Sequence, residues 1–407
     1  MSFQQGLSGL NAAAQNLDVI GNNVANSNTV GFKSGQAQFA DVYANSLAGA
    51  GGSAVGIGVT VSGVLPTFAQ GNVSVSDNPL DIAVNGQGFF RMSANGTATF
   101  TRNGQFHMDK DGFIVNANAS RLTGFPVGAG GKIVAASPTD LQVSRVDLPP
   151  KATTGSLIVA NLDSRSSALP AAAFDATDPS TYHSATSLAV FDSLGNPHTL
   201  STYFMKTAAN TWSVFGTSDG VQIGAGAIGV LNFTTSGAID LATTTLPMNV
   251  STPVATGAVS PLVFAVDFTG TTQFGSAFGI NDLTQDGSTS GRLSGFSVGS
   301  DGVILGRYTN GQTLAQGQIV LANFTNPQGL QPLGGNQWGE TPQSGQSLVG
   351  APNTGSLGVL QASAVEDSNV DLTNELVEMI TAQRVYQANA QTIKTQDSVL
   401  QTLVNLR

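Results

Sequence analysis

Both ends of this chain carry apolar residues at alternating spacings of four and three, and this pattern constrains the fold more than any other sequence feature. Near the amino terminus the positions are Phe3, Leu7, Leu10, Ala14, Leu17 and Val24, with Gly21 at the one gap. Near the carboxyl terminus the same spacing runs through Leu372, Leu376, Met379, Gln383, Tyr386, Ala390, Ile393, Asp397, Leu400 and Val404, of which Gln383 and Asp397 are polar. Such a period of about 3.5 residues is typical of a coiled-coil seam. The sequence therefore predicts a helix of about 22 residues at the start and a longer one from about Val370 onward.

Two arrangements fit helices of this kind. Each helix could pack on a globular core, which is the commoner arrangement, or the helices could pair as a coiled coil with each other or with copies from other chains. Weak members such as Ala14 and Ala390 make both stripes thin, and a helix with so thin a stripe is marginally stable alone in water. We therefore favour coiled-coil pairing. The residues expected to form the subunit-assembly seam are Phe3, Leu7, Leu10, Leu17, Val24, Leu372, Leu376, Met379, Tyr386, Ile393 and Leu400.

Between the two predicted helices the sequence has an almost continuous strand pattern. Residues 80–92, 100–116 and 296–312 are alternating apolar runs that are interrupted at Asn-Gly, Asp-Gly or Gly-Gln-Gly. These dipeptides supply the positive φ angles that tight hairpins need. The predicted fold class is therefore mainly β with α-helical termini, in which nested, discontinuous β domains stand on a coiled-coil pair of N- and C-terminal helices.

The strand pattern loosens around residues 136–150 and again near 282–292, and this suggests how the chain is divided. The segment between them is richer in Ala, Thr and Ser, and its clearest hairpin is TSLAVFDSLGNPHTLSTYFMK at 186–206. If the end helices pair, the domains between them must be nested. We predict a helical coiled-coil domain (1–28 and 366–407), a connector (29–70 and 355–365), an inner β domain (71–145 and 281–354) and an outer inserted β domain (146–280).

Composition excludes several classes of function. The net charge is −10 with only 15 Lys and Arg, and no basic stripe is present, so no nucleic-acid partner is expected. The absence of Cys excludes a disulfide scaffold, cysteine nucleophiles and thiolate metal sites. The start of the chain lacks a basic region and a continuous apolar core, so we expect no cleavable secretory signal. No run approaches the ~18 apolar residues of a membrane span, so no membrane insertion is expected.

No arrangement of residues predicts catalysis or a bound cofactor. The hydrolase-like pattern Gly-x-Ser-x-Gly occurs at 216–220 and 295–299, but neither copy precedes a helical pattern, as a nucleophile elbow requires. The three histidines, His107, His183 and His198, lack metal-ligand spacing. Asp109-Lys110-Asp111-Gly112 begins like a calcium loop without its later acids, so a hairpin turn is expected there. We predict no enzyme activity, no catalytic residue, no cofactor and no metal site.

Two terminal stretches carry a family resemblance. NNVANSNTVGFK (22–33), which follows the first helix, and the segment 368–406, which begins SNVDLTNELVEMI, resemble the two ends of the bacterial flagellar axial proteins, the rod and hook family. In the interior, LAVFDSLGNPHTL (188–200) and IVLANFTNPQGLQPLGGNQWGET (319–341) are similar to the hook branch of that family.

This resemblance implies a structural subunit of the flagellar hook. It implies a curved, tubular helical homopolymer at the cell surface that acts as a universal joint and transmits motor torque to the filament. It further implies export through the flagellar type III apparatus without a cleavable signal, and contact with hook cap, distal rod and hook–filament junction proteins. In this interpretation Asn26, Asn28, Thr29, Gly31, Phe32 and Lys33 form a connector hinge between the first helix and the β domains.

Two alternatives remain from the sequence. The nearest is another flagellar axial protein, from the distal rod or the hook–filament junction, which shares the end helices; residues 146–280 and their hook-like flanks argue against it. The more distant alternative is a secreted β-rich adhesin. An adhesin of this kind would need a secretory signal and aromatic-lined binding strands, whereas the chain has only two Trp.

Overall fold

The computed structural model describes residues 2–42, 56, 58–128, 131–170 and 174–405. The described residues form two long helices, α1 (Ser2–Ala25) and α2 (Leu372–Asn405), and 29 strands. The strands are β1 Gly35–Val42, β2 Gly58–Pro66, β3 Val73–Val75, β4 Ile82–Asn85, β5 Phe89–Ala94, β6 Thr97–Thr101, β7 His107–Met108, β8 Ile114–Val115, β9 Arg121–Phe125, β10 Thr139–Asp140, β11 Gly155–Asp163, β12 Ser184–Phe191, β13 Pro197–Ala208, β14 Thr211–Ser218, β15 Val221–Gln222, β16 Gly229–Asn232, β17 Met248–Thr252, β18 Leu262–Asp267, β19 Thr272–Phe274, β20 Gly279–Gln285, β21 Leu293–Val298, β22 Val303–Tyr308, β23 Thr313–Ile319, β24 Leu321–Asn323, β25 Gln331–Gly334, β26 Gln337–Gly339, β27 Leu348–Gly350, β28 Val359–Ala362 and β29 Ala364–Glu366. This composition confirms the predicted fold class, mainly β with an N-terminal and a C-terminal helix.

The chain divides into two compact units. The first comprises Met1–Ser144, Gly295–Gly306 and Thr313–Arg407, and the second comprises Arg145–Ser294 and Arg307–Gln312. The first unit therefore contains both helices and is assembled from distant parts of the sequence.

In the first unit, strands from the two halves of the sequence pair with one another. Strand β28 pairs antiparallel with β4, β29 with β3, β24 with β5, and β26 with β6. An aromatic core forms where they meet. The ring centroids of Phe100 and Phe324 lie 4.8 Å apart in an edge-to-face contact, and those of Phe68 and Trp338 lie 5.1 Å apart. Because each half supplies only part of this core, the unit needs both halves of the chain to fold.

The second unit consists of two sheets with a shared apolar core. One sheet has the order β17-β18-β11-β19 with β20 on β11, and the other has β12-β13-β14-β15 with β16 on β14. Trp212, Phe204, Phe264 and Ile158 are among its buried side chains. The Trp212 indole Nε1 donates to Gln273 Oε1 at 2.6 Å, so the most polar atom of this core is satisfied.

Two hairpins contain the positive φ angles that tight turns need. Strands β5 and β6 are joined by Asn95 and Gly96, whose φ angles of +52° and +85° both lie in the left-handed region that a type I′ turn requires. The predicted hairpin at 186–206 forms as β12 and β13, and its turn contains Gly195 at φ +83°. The hairpin predicted at 186–206 is therefore confirmed.

Candidate functional site

The two helices pack antiparallel through a stripe of small and polar residues. Gly6 lies against Ile393, and Asn23 Nδ2 at the other end of α1 donates to Glu375 Oε1 at 2.9 Å. A Cβ added to Gly6 would lie 3.1 Å from Ile393 Cγ1, and one added to Gly9 would lie 2.9 Å from the side chain of Asn389. The missing side chains therefore let the helix backbones approach closely. The stripe continues along α1 through Ala13 and Ile20, both of which are buried.

This stripe is offset by one residue from the predicted seam. Each of its members immediately precedes a position of the four-three pattern: Gly6, Gly9, Ala13, Ile20 and Asn23. Phe3 and Leu7 are each 46% exposed, whereas Leu10, Leu17 and Val24 are half-buried.

On α2 the predicted seam is also largely exposed. Leu376 is 49% exposed and Leu400 is 55% exposed, and Leu372 and Tyr386 are exposed as well. Met379 and Ile393 are half-buried. Four further apolar residues of α2 that lie outside the predicted seam are exposed: Val377, Ile380, Val385 and Val399. Within one chain, most of the apolar surface of α2 is thus left without a partner.

A groove lies between the helix pair and the β1–β2 hairpin. It encloses about 670 Å³ and is lined mainly by small and apolar residues, among them Ala13, Phe39, Val59, Val377 and Val385. Phe39 is itself exposed. The groove extends the unpartnered apolar surface from the helices to the hairpin.

The predicted connector hinge begins with a network of side-chain hydrogen bonds at the end of α1. Asn26 Nδ2 donates to the Asn22 carbonyl at 2.9 Å and to Asn22 Oδ1 at 3.0 Å, and Ser27 Oγ donates to the Val24 carbonyl at 2.9 Å. Thr29 Oγ1 donates to Asn26 Oδ1 at 3.2 Å, while Asn28 is exposed. The polar side chains thus satisfy carbonyl groups that the last turn of a helix leaves free.

Gly31 and Phe32 are the next residues of the predicted connector hinge, and they lie against the β strands of the first unit. Gly31 has φ +69°, and an added Cβ would lie 2.5 Å from the Asn103 backbone nitrogen, so a side chain has no room there. Its N–H donates to the Glu366 carbonyl at 2.7 Å. Phe32 is half-buried and lines a cavity of about 450 Å³ together with Leu330 and Trp338.

Lys33, the last residue of the predicted connector hinge, lies in a buried ionic cluster. Its Nζ donates to Glu366 Oε1 at 2.6 Å, and Arg102 Nη1 donates to Glu366 Oε2 at 3.2 Å. The side chains of Lys33 and Glu366 have no exposed surface, and that of Arg102 is 4% exposed. Burial lowers the pKa of both cations, and the adjacent carboxylate opposes this shift.

Backbone groups complete the cluster. The Gly71 N–H donates to Glu366 Oε1 at 2.9 Å, Lys33 Nζ also donates to the Ala69 carbonyl, and Arg102 Nη2 donates to the Gly86 carbonyl at 2.8 Å. Lys33 is one of the predicted hinge residues. Glu366 and Arg102 were not singled out by sequence reasoning, although charged residues are scarce in a chain that is only 10% charged.

The residues considered for catalysis have ordinary structural surroundings. Ser218 ends strand β14 and Ser297 lies inside β21, and no helix follows either one. Asp109 Oδ1 accepts from the backbone N–H groups of Asp111 and Phe113, which makes the predicted hairpin turn. In the described part of the chain, no group of three His, Asp or Glu is placed to hold a metal ion. Neither of the two described helices combines the length and the apolar character of a membrane span.

Family models for flagellar axial proteins match four stretches of the chain. They are "Flagella basal body rod protein" (3–33), "Flagellar hook protein FlgE/F/G D1 domain" (83–160), "Flagellar basal body protein FlaE D2 domain" (161–288) and "Flagellar basal body rod FlgEFG protein C-terminal" (361–406). The chain, with its exposed helix seams, is therefore an axial protein of the bacterial flagellum.

Individual relatives show which kind of flagellar axial protein this chain resembles. The chain is 43% identical to the flagellar hook protein FlgE of Escherichia coli K12 and 41% identical to that of Salmonella typhimurium LT2, with full coverage of both chains in each case. It is 32% identical to FlgE of Rhizobium meliloti, covering all of this chain and 98% of the relative. The chain belongs to the flagellar hook protein family and is a structural subunit of the hook.

A solved structure has a similar fold. The crystal structure of Helicobacter pylori flagellar hook protein FlgE2 superposes with a TM-score of 0.55 at 13% identity, over 72% of this chain and all of that one. At this identity the likeness concerns the fold alone. It agrees with the mainly β architecture described above.

Proposed function

We propose that copies of this chain polymerise through the predicted seam residues of α1 and α2, which pack against helices of neighbouring copies. One observation carries the proposal: the small-residue stripe joins α1 to α2, and the large side chains of the seam, Leu7, Leu376 and Leu400 among them, remain exposed. Burying such side chains contributes roughly 1.5–3 kcal/mol each. Contacts that do not close on themselves produce an open helical array.

The resulting polymer is a curved tube that acts as a universal joint and transmits motor torque to the filament. Its subunits leave the cell through the flagellar type III apparatus and assemble outside it. The hook cap, the distal rod and the hook–filament junction proteins contact its growing and terminal subunits. None of these steps requires enzymatic chemistry by the subunit. The proposal also keeps the four predicted domains. They are the helical domain (1–28 with 366–407), the connector (29–70 with 355–365), the inner β domain (71–145 with 281–354) and the outer β domain (146–280).

The connector contributes a defined joint to the polymer. Asn26, Asn28 and Thr29 form its polar part, Gly31 and Phe32 run along the β body, and Lys33 fixes its end through Glu366. Bending of the connector is therefore limited to the stretch between the end of α1 and the ionic cluster.

Polymerisation of a seam variant tests the proposal. Leu376→Asp places a charge in the proposed interface and should abolish tube formation, as judged by sedimentation and negative-stain electron microscopy. Gln391→Asp is the matched control because it adds the same charge to an exposed position of α2 that is outside the seam. Thermal unfolding of both monomers should match the wild type. Tubes formed by Leu376→Asp at wild-type concentration would contradict the proposal.

A further inference from the structure

Asp192 is a buried carboxylate at the β12–β13 turn of the second unit. Its side chain has no exposed surface. Asp192 Oδ1 accepts from the backbone N–H groups of Leu194 and Asn196, both at 2.9 Å. Its Oδ2 accepts from Asn196 Nδ2 at 2.9 Å and from Thr256 Oγ1 at 2.6 Å. Four donors around a buried carboxylate indicate that it is held in its ionised form.

His198, at the start of β13, lies between this carboxylate and a second one. Its Nδ1 is 2.6 Å from Asp219 Oδ2, and its Nε2 is 3.4 Å from Asp192 Oδ2. An ionised carboxylate only accepts hydrogen bonds, so both ring nitrogens have a favourable partner only when both carry a proton. A neutral imidazole would direct one lone pair at a carboxylate oxygen.

The cluster joins three separate loops of the second unit. Asp192 belongs to the β12–β13 turn, Asp219 to the β14–β15 turn, and Thr256 to the loop between β17 and β18. Asp219 is partly exposed and also accepts from the Thr199 N–H at 2.8 Å. The Val259 N–H of the third loop donates to Ser193 Oγ at 2.9 Å, which adds a second link between two of the loops.

We propose that Asp192, His198 and Asp219 form a proton-operated clasp, which links the β14–β15 turn to the β12–β13 turn while the imidazole is doubly protonated and opens when it loses one proton. The hydrogen bonds of Thr256 and Val259 hold the third loop to the β12–β13 turn without the imidazole. The clasp is independent of the assembly seam, since all of its residues lie in the second unit. A hook subunit with this device has a second unit whose rigidity depends on the external pH.

The titration of the three groups gives the clasp a defined pH window. The hydrogen bond to Asp219 raises the pKa of His198, and burial only partly opposes it. Burial alone would raise the pKa of Asp192 and of Asp219, but hydrogen bonds outweigh it and lower both. These two carboxylates are the charged groups that act on His198.

The sign of the pH dependence follows from these directions. The contribution of His198 to stability is fully present below its unfolded pKa of about 6.5 and is lost as the pH rises through its higher folded pKa. The contributions of the two Asp residues are present above about 3.9 and are lost as the pH falls through their lowered pKa values. The clasp is therefore closed in mildly acidic solution and opens toward alkaline pH.

His183 provides a matched control in the same unit. Its Nδ1 accepts from the Lys206 backbone N–H at 3.1 Å, which requires that nitrogen to be unprotonated. Burial lowers the pKa of His183, and nearby Lys206 lowers it further. The pKa of His198 should thus lie above the ordinary value for histidine, and that of His183 should lie below it.

The first test is an NMR titration of the imidazole signals of the full chain, assigned by His198→Gln and His183→Gln. We expect the His198 signal to titrate above pH 6.5 and the His183 signal below it. In Asp219→Asn the His198 midpoint should fall, because the closest partner loses its charge. A His198 midpoint at or below 6.5 would overturn the clasp.

The second test follows unfolding of the second unit between pH 6 and pH 9. In a Trp338→Phe background, fluorescence reports on Trp212, which is buried in that unit. The unfolding constant should rise up to tenfold for each unit by which the folded pKa of His198 exceeds 6.5. His183→Gln should keep this rise, and His198→Gln should lose it. If His198→Gln does not fold, Asp219→Asn replaces it and should show a smaller rise. A rise of wild-type size in either clasp variant would refute the proposal.

Discussion

Glu366 accepts from Lys33 and Gly71 through one carboxylate oxygen and from Arg102 through the other. These partners come from the connector, from the loop before β3 and from the end of β6, so one side chain joins three segments of the first unit. Two cations share a single buried anion, and backbone carbonyls accept further hydrogen bonds from Lys33 Nζ and Arg102 Nη2. Removal of the anion leaves buried charge without compensation, which is among the most costly changes in a protein interior.

Glu366→Gln should therefore destabilise the first unit by about 3–5 kcal/mol. The measurement is denaturant unfolding in a Trp212→Phe background, where Trp338 reports on that unit. Glu378→Gln is the control, since it removes the same charge from an exposed position of α2. A loss for Glu366→Gln no larger than that of the control would show that the cluster does not stabilise the connector.

Sequence reasoning reached only one member of this cluster. Lys33 is predicted to be a hinge residue because it follows Gly31-Phe32 in a stretch that resembles the flagellar axial proteins. Its partner Glu366 lies 333 positions away, and Arg102 lies 264 positions from Glu366. Periodicity and turn chemistry are local signals, so they contain no information about an ion pair over such a distance.

At the scale of secondary structure, the four-three spacing of apolar residues predicts the two helices but does not predict which residues form the contact between them. The four-three spacing predicts both α1 and α2. Asp371, just before α2, accepts from the Thr373 N–H as an N-cap. The contact stripe instead begins with Gly6 and Gly9, which have no hydrophobic signal. A heptad pattern alone does not distinguish a partner helix in the same chain from one in another copy.

Gly6→Leu should separate the two helices. The new side chain would occupy the space of Ile393, whose Cγ1 is only 3.1 Å from the position of an added Cβ. We expect α1 and α2 to become more sensitive to limited proteolysis than in the wild type. At Gly21 an added Cβ meets no atom within 4 Å, so Gly21→Leu should leave the pair intact and gain roughly 1 kcal/mol of helix propensity. Equal protection of the two variants would contradict this account of the helix contact.

At the scale of the whole molecule, the chain is a hook subunit with two compact units and a helix pair whose large apolar residues are mostly exposed. Fold class, both helices and the hook family followed from the sequence, because they rest on long periodic segments and on family-like terminal stretches. The offset of the contact stripe, the Glu366 cluster and the His198 clasp did not. Each depends on side chains that only the folded chain brings together.

In the proposed polymer, the exposed seam residues are buried between copies of this chain. A helical reconstruction of the polymerised protein by electron cryomicroscopy, at a resolution that shows side chains, tests it most directly. We predict that Phe3, Leu7, Leu376 and Leu400 contact α1 or α2 of neighbouring copies and become buried. A polymer in which these four side chains remain exposed to solvent, with subunits joined only through the β units, would contradict it.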